Sequence, residues 1–197
     1  MPFNTYTDLQ ASVAGWLKRN NLGDRAADFI TLAEARLNRR LRLSQMRTFF
    51  SITPSQQFVT LPGDYNQAIR ITYGTQKLDF RPEDSADSWM EDRACGNEFT
   101  ILGGRLWLLT KVDGVSKLTV HYYQDIEPLS DTNPSNWLLQ DAPDIYLYAS
   151  LLEAEPYIKN DERIQVWTLA LTTAIDDITT NDSASQHSGS SLAIKKG

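Results

Sequence analysis

Few residues in this chain have the types and spacing that acid–base, nucleophilic or metal chemistry needs. Histidine occurs twice. His121 sits in an alternating stretch beside Tyr122 and Tyr123, where a histidine fills a sheet position more readily than it serves as a base. His187 falls in a Ser-rich stretch with no rigid element to aim it. The single cysteine, Cys95, cannot form an internal disulfide, and with two distant histidines it makes no zinc-ligand spacing. It reads as a small apolar residue and is compatible with synthesis in a reducing cytoplasm. Gly103-Gly104 lacks the lysine and the length of a phosphate-binding loop, and a hairpin turn accounts for it. The adjacent acids Asp176-Asp177 and Asp161-Glu162 lie in helical stretches, point in different directions and cannot share a proton. Glu153 and Glu155 flank the approach to Pro156 as a polar helix face, with a weak metal site as the alternative. The expectation is a protein with no catalytic residue, no resident metal and no cofactor, and so not an enzyme.

The residues better suited to binding than to reacting are Arg36, Arg39, Arg40 and Arg42, gathered near the end of one helical stretch. The helix dipole favours cations there, which explains their position without a partner. As a surface they form a basic patch facing a neighbouring subunit or passing DNA. Such arginines contact phosphates without reading sequence, and no helix-turn-helix, ribbon or zinc-finger pattern surrounds them. The net charge of −6 argues against nucleic acid as the main partner. Its distribution is uneven: residues 1–50 hold eight Lys/Arg against four Asp/Glu, and the remainder eleven against twenty-one. A chain basic at one end and acidic over the rest can pair with copies of itself.

The elements that must position these residues follow from hydrophobic spacing. Hydrophobic residues are 41% of the 197, including five Trp, eight Tyr and seven Phe, enough for a sizeable core. No apolar run reaches the length of a membrane helix, and MPFNTYTDLQ has neither the basic start nor the apolar run of a secretory signal. Leu9, Val13, Trp16 and Leu17 predict a first helix from Thr5 or Tyr6 to Asn20, with Thr5 as N-cap and Asp8 three residues on. Phe29, Ile30, Ala33, Leu37 and Leu41 predict a second, from about Asp24 to Arg42 or Ser44.

From Arg47 the period changes to that of strands. Thr48–Ile52 and Gln57–Leu61 read as a hairpin, and Ala68–Tyr73 pairs with Gln76–Phe80 across Gly74-Thr75. Pro82–Glu91 reads as a short acidic helix. Phe99–Leu102 and Arg105–Leu109 flank the glycine pair, and Lys117–Tyr123 completes the sheet. After a crossover, Asp141-Ala142-Pro143 opens a third helix that Pro156 kinks or ends. A fourth, capped by Asn160 or Asp161, carries Ile164, Trp167, Leu171, Ala174, Ile175 and Ile178 to about Thr180.

The expected fold is therefore α+β. A four-helix domain, with two N-terminal and two C-terminal helices, holds an intervening antiparallel β domain and ends in an extended C-terminal tail. The boundaries are 1–46 for the first helical pair, 47–124 for the β domain, 125–181 for the second pair and 182–197 for the arm. That arm is small, polar and aperiodic through Ser191, with nothing to bury, and a segment of that composition orders only on something outside itself. Leu192, Ala193 and Ile194 form a short apolar plug before Lys195 and Lys196. The arm is expected to bind a partner.

The order of these elements resembles the head-to-tail adaptor proteins of tailed bacteriophages, the connector subunits below the portal, of the short-tailed phage type. The resemblance rests on Tyr6-Thr7-Asp8-Leu9, on Ala33-Glu34-Ala35-Arg36-Leu37-Asn38-Arg39, on Leu61-Pro62-Gly63-Asp64-Tyr65 and on Ile101-Leu102-Gly103-Gly104-Arg105-Leu106. It continues through Tyr122-Tyr123, Ile126 with Pro128-Leu129-Ser130, Asn136-Trp137-Leu138-Leu139, Ala142-Pro143-Asp144, Leu147-Tyr148, Leu152-Glu153-Ala154 and Asp161-Glu162-Arg163. These motifs cover nearly the whole chain and none marks an active site. The resemblance implies a structural subunit in the virion neck, twelve copies in a ring under the portal, and a link from capsid to tail. It implies that the C-terminal segment reaches the portal, so that Ser188, Ser190, Ser191, Leu192, Ala193, Ile194, Lys195 and Lys196 become portal-binding residues. The other partners are copies of the chain itself and a downstream tail or nozzle protein. No membrane is involved, and DNA enters only as the passing contents of the channel. A related neck component, such as a stopper or tail-completion protein, is the alternative, followed by a DNA-contacting protein.

Overall fold

Hydrogen bonding at the ends of its first helix shows how locally the chain is specified. In the computed structural model, which describes residues 4–17, 25–82, 96–158 and 162–187, helix α1 spans Tyr6–Leu17. The Asp8 N–H donates to the Thr5 hydroxyl oxygen at 3.2 Å, and that hydroxyl donates to the Asp8 carboxylate at 2.8 Å. Thr5 is thus the N-cap, and the Tyr6 N–H finds the Pro134 carbonyl at 2.7 Å. Thr5→Ala should lower stability by about 1 kcal/mol, read from denaturant unfolding. An unchanged midpoint would show that the cap is redundant.

The chain divides into two compact units, one of residues 1–45 with 126–197 and one of residues 46–125. The first is helical. Besides α1 it holds α2 (Ala26–Arg40), a short α3 (Trp137–Asp141), α4 (Pro143–Glu153), a single-turn α5 (Glu155–Ile158) and α6 (Ile164–His187). Helix α4 packs against α1, α2 and α6. Its Ile145, Tyr146, Leu147, Ala149, Ser150 and Leu151 are all buried, as a helix apolar on most sides requires. The expected stripe of α2, Phe29 to Leu41, is buried in full.

Three helical readings need correction. Trp16 does not share the buried face of Leu9, Val13 and Leu17; it is 43% exposed and meets Tyr148 edge-on at 6.2 Å. Helix α3 falls between the expected crossover and the expected third helix, where no element was predicted, because the Asn136 side-chain oxygen accepts the Leu139 N–H at 2.9 Å and caps it. Helix α6 runs seven residues beyond the expected end at Thr180. The reason is Asp182, whose carboxylate accepts the Ser44 N–H at 3.1 Å, the Ser44 hydroxyl, and the Gln186 side-chain amide at 2.7 Å. Residues 182–187, expected as part of the extended arm, are therefore helical. The helix breaks at Ala154, just before Pro156, as expected.

The second unit is a seven-stranded sheet of order β1-β7-β3-β4-β5-β6-β2. The strands are β1 (Arg47–Ile52), β2 (Phe58–Thr60), β3 (Tyr65–Tyr73), β4 (Gln76–Phe80), β5 (Glu98–Leu102), β6 (Arg105–Leu108) and β7 (Leu118–Gln124). Val59, Ile71, Leu78, Phe99, Leu106, Leu108, Leu118, Val120 and Tyr122 form its core. Gly103 and Gly104, at φ 59° and 71°, turn β5 into β6 as a two-residue hairpin, the geometry that only glycine-like residues take twice running.

Two pairings differ from the reading of the sequence. Strands β1 and β2 do not form a hairpin: β1 pairs antiparallel with β7 over six residues, and β2 with β6. The longer β7 offers β1 better partners, with Phe50 edge-on to Tyr122 at 6.0 Å and a Ser51–Thr119 hydroxyl bond at 2.9 Å. The sheet is also not wholly antiparallel, since β4 and β5 run parallel at Asp79–Phe80 against Glu98–Phe99. Seventeen residues separate β4 from β5 in the sequence, enough for the crossover that a parallel pair requires. A register shift between Ala68 and Arg70 breaks the alternation of β3, which leaves Ile71 buried and Ile69 44% exposed. The expected acidic helix at Pro82–Glu91 falls largely outside the described residues.

Candidate interaction surfaces

Glu34 and Asn38, one turn apart on α2, reach the chain as it returns to the helical unit. The Asn38 side-chain oxygen accepts the Ile126 N–H at 2.8 Å, and Glu34 Oε1 accepts the Leu129 N–H at 2.8 Å. Glu34 Oε1 also accepts the Tyr146 hydroxyl at 3.2 Å. Asn136 Nδ2 donates to the Tyr146 oxygen and to the Glu127 carbonyl, each at 2.7 Å. The residues 126–129 have no strand beside them, so α2 side chains satisfy backbone donors that would otherwise be buried unpaired. Glu34 is 6% exposed, and burial raises its carboxyl above the usual 4.5 despite the two donors. Burial, and next the Glu34 charge, push the Tyr146 hydroxyl well above the ordinary tyrosine range, so it remains a donor. Periodicity did not reveal Glu34, because a lone acid inside an apolar stripe looks like a solvated position. This network braces the fold.

The basic patch separates into two halves. Arg36 Nε lies 2.5 Å from the Glu153 carboxylate on α4, and Arg42 donates to the Asn38 and Leu41 carbonyls at 2.8 and 2.5 Å. Arg36 thus ties two helices together and occupies Glu153, while Arg42 closes the end of α2. Arg39 and Arg40 are exposed, with no hydrogen bond or ion pair among the described residues. Arg39 shares the outward side of α2 with Leu32, 52% exposed, and Ala35, whereas Arg40 follows Ala33 and Leu37 and is exposed as the last residue of the helix.

Helix α6 carries the second surface. Its buried side is Trp167, Leu171 and Ile175, with Ile164, Ala174 and Ile178 half-buried. On the opposite side Glu162, Val166, Leu169, Thr173, Asp176 and Asp177 recur at steps of three and four and are exposed. Val166 is 64% and Leu169 69% exposed. The sequence held this signal, since these two apolar residues fall off the buried stripe.

Of the remaining residues singled out for chemistry, Glu155 begins α5 and His187 is the last residue of α6, on a helix where none was expected; the others lie in the sheet unit or outside the described residues. His121 stacks on the exposed Phe49 ring at 5.4 Å, and Arg47 lies over the Tyr123 ring at 5.7 Å. Among the described residues no three His, Cys, Asp or Glu side chains converge as a metal site. Cys95, Asp161 and all the expected portal-binding residues, Ser188 to Lys196, lie outside the described residues.

Comparison with protein families places the chain among phage structural proteins. The profile described as SU10 adaptor protein matches residues 4–194, and the chain belongs to that family of head-to-tail adaptors. The family is a structural class and not an enzyme class, and its members are components of the virion. No helix among the described residues is long and apolar enough to cross a membrane. No curated protein matches the chain.

Proposed function

We propose that copies of this chain form a ring of twelve under the phage portal and link capsid to tail. The observation that carries this reading is the extent of the family match, which takes in both units and all but the last three residues of the arm. In this mechanism the helical unit is the rigid body that neighbours share, and unlike faces of adjacent copies meet head to tail, the arrangement that closes into a ring. The arm orders on the portal, with Leu192 and Ile194 as apolar anchors and Lys195 and Lys196 meeting acidic groups. A single arm binds weakly because ordering it costs entropy, and a ring presents many at once. The sheet unit then faces the next tail or nozzle protein. DNA passes through the channel as cargo.

The test is the native mass of the full chain, alone and mixed with the portal protein of the same phage. A portal complex carrying twelve copies is expected. Portal and chain remaining separate species would remove the portal from the mechanism. A complex with another neck protein instead would make the chain a stopper or tail-completion component.

A further inference from the structure

From the outward faces of α2 and α6 we infer that α2 of one copy docks on α6 of the next, with Leu32 against Leu169 and Arg39 against Asp176. The inference rests on the ring reading above and names its contact. Both helices bury one side in their own unit, where α4 packs against each, so their outward sides point away from α4 in different directions. One copy can therefore offer both faces at once, each to a different neighbour.

The two faces are complementary in composition. That of α2 presents Leu32, small Ala35 and Arg39, with Arg40 at the helix end beside it, both cations without an ion pair among the described residues. That of α6 presents Val166 and Leu169 followed by the carboxylates Asp176 and Asp177. Like faces would bring arginines against arginines or carboxylates against carboxylates, which penalises a symmetric pairing.

Spacing makes the match specific. Leu32 precedes Arg39 by seven residues, and Leu169 precedes Asp176 by seven, about two turns or roughly 10 Å along either axis. Leucine and charge coincide at Asp176 when the two helices run in the same direction; run oppositely, Arg39 would meet Glu162, seven residues before Leu169 and ahead of the first turn of α6. The fold supplies that direction. Asp182 near the end of α6 binds Ser44, four residues past the end of α2, so both helices finish at the same end of the unit. Rotation about a ring axis keeps that sense from copy to copy. Ala35 leaves room for close approach at the centre of the contact.

Cysteine pairing in assembled phage particles tests this, using the full chain with Cys95→Ala. Leu32→Cys plus Leu169→Cys should give a ladder of disulfide-linked copies on non-reducing gels, and each single cysteine should give none. Both positions are exposed, so neither change threatens the fold. A general amine cross-linker on the same particles reports whether copies are adjacent at all. A ladder with the amine reagent but not with the cysteine pair overturns this contact and leaves the ring. Failure of both removes the ring as well. Capture of a different virion protein by Leu32→Cys also overturns the contact. In a parallel arm, Arg39→Glu with Arg40→Glu should reduce phage titre on the order of tenfold or more, and adding Asp176→Lys with Asp177→Lys should restore it. Leakage of packaged DNA without rescue by the aspartate changes would assign the arginines to DNA instead.

Discussion

Glu34→Ala should destabilise the protein by about 3 kcal/mol, since it strands the Leu129 N–H and the Tyr146 hydroxyl in a buried site at about 1–3 kcal/mol each. Glu34→Gln keeps a carbonyl acceptor of the same reach and should recover most of that loss. The pH dependence has a definite sign. Burial raises the Glu34 carboxyl in the folded state, so the folded chain holds a proton that the unfolded chain has already released. The stability linked to that proton is fully present below the unfolded value and is lost as pH rises through the raised folded value. Wild type should therefore lose ground to Glu34→Gln as pH climbs from about 4.5, and the gap should become constant above the folded value. Denaturant unfolding of the three proteins across that range is the measurement. A cost below about 1 kcal/mol for Glu34→Ala would mean that water or another acceptor replaces the carboxylate.

On the proposed portal-bound ring, ending the chain at His187 should weaken association with the portal by at least about a hundredfold, because each lost arm would be multiplied around such a ring. The same truncation should leave the unfolding midpoint unchanged. It spares Asp182, whose bonds to Ser44 and Gln186 hold the end of α6, and removes only Ser188 onward. Ending the chain at Asn181 should differ in kind, lowering stability as well as binding, since Asp182 goes with the arm. Surface-immobilised portal with full-length and truncated chains reads the binding, and thermal unfolding reads the fold. Portal binding that survives the His187 truncation would remove Ser188, Ser190, Ser191, Leu192, Ala193, Ile194, Lys195 and Lys196 from the mechanism.

What could be read from the residues was decided by the distance over which each choice is made. The Thr5 cap, the α2 stripe and the Gly103-Gly104 hairpin depend on neighbours within a few positions, and all three stand as expected. The partner of β1 lies about seventy residues away in β7, and short-range turn signals pointed to β2 instead. The end of α6 was misplaced for a similar reason. Asp182 looks like one more polar residue in a Ser-rich run until Ser44 is brought beside it. At the surface, the four arginines were visible as a cluster, but their division into Arg36 and Arg42, both engaged, and Arg39 and Arg40, both open, depends on Glu153 and on backbone carbonyls that composition does not show. The motifs behind the family resemblance gain a physical reason here. Glu34, Leu129 and Asn136 belong with Tyr146 to one buried polar network, and Asn38 holds Ile126 beside it.

The pairing of β1 with β7 places Arg47 opposite Tyr123, so the strands that begin and end the sheet unit stand side by side, about 5 Å apart. A cassette whose two ends touch can be enlarged, trimmed or traded for another without re-threading the helices that flank it. The sheet unit can therefore be changed while the helical frame stays as it was.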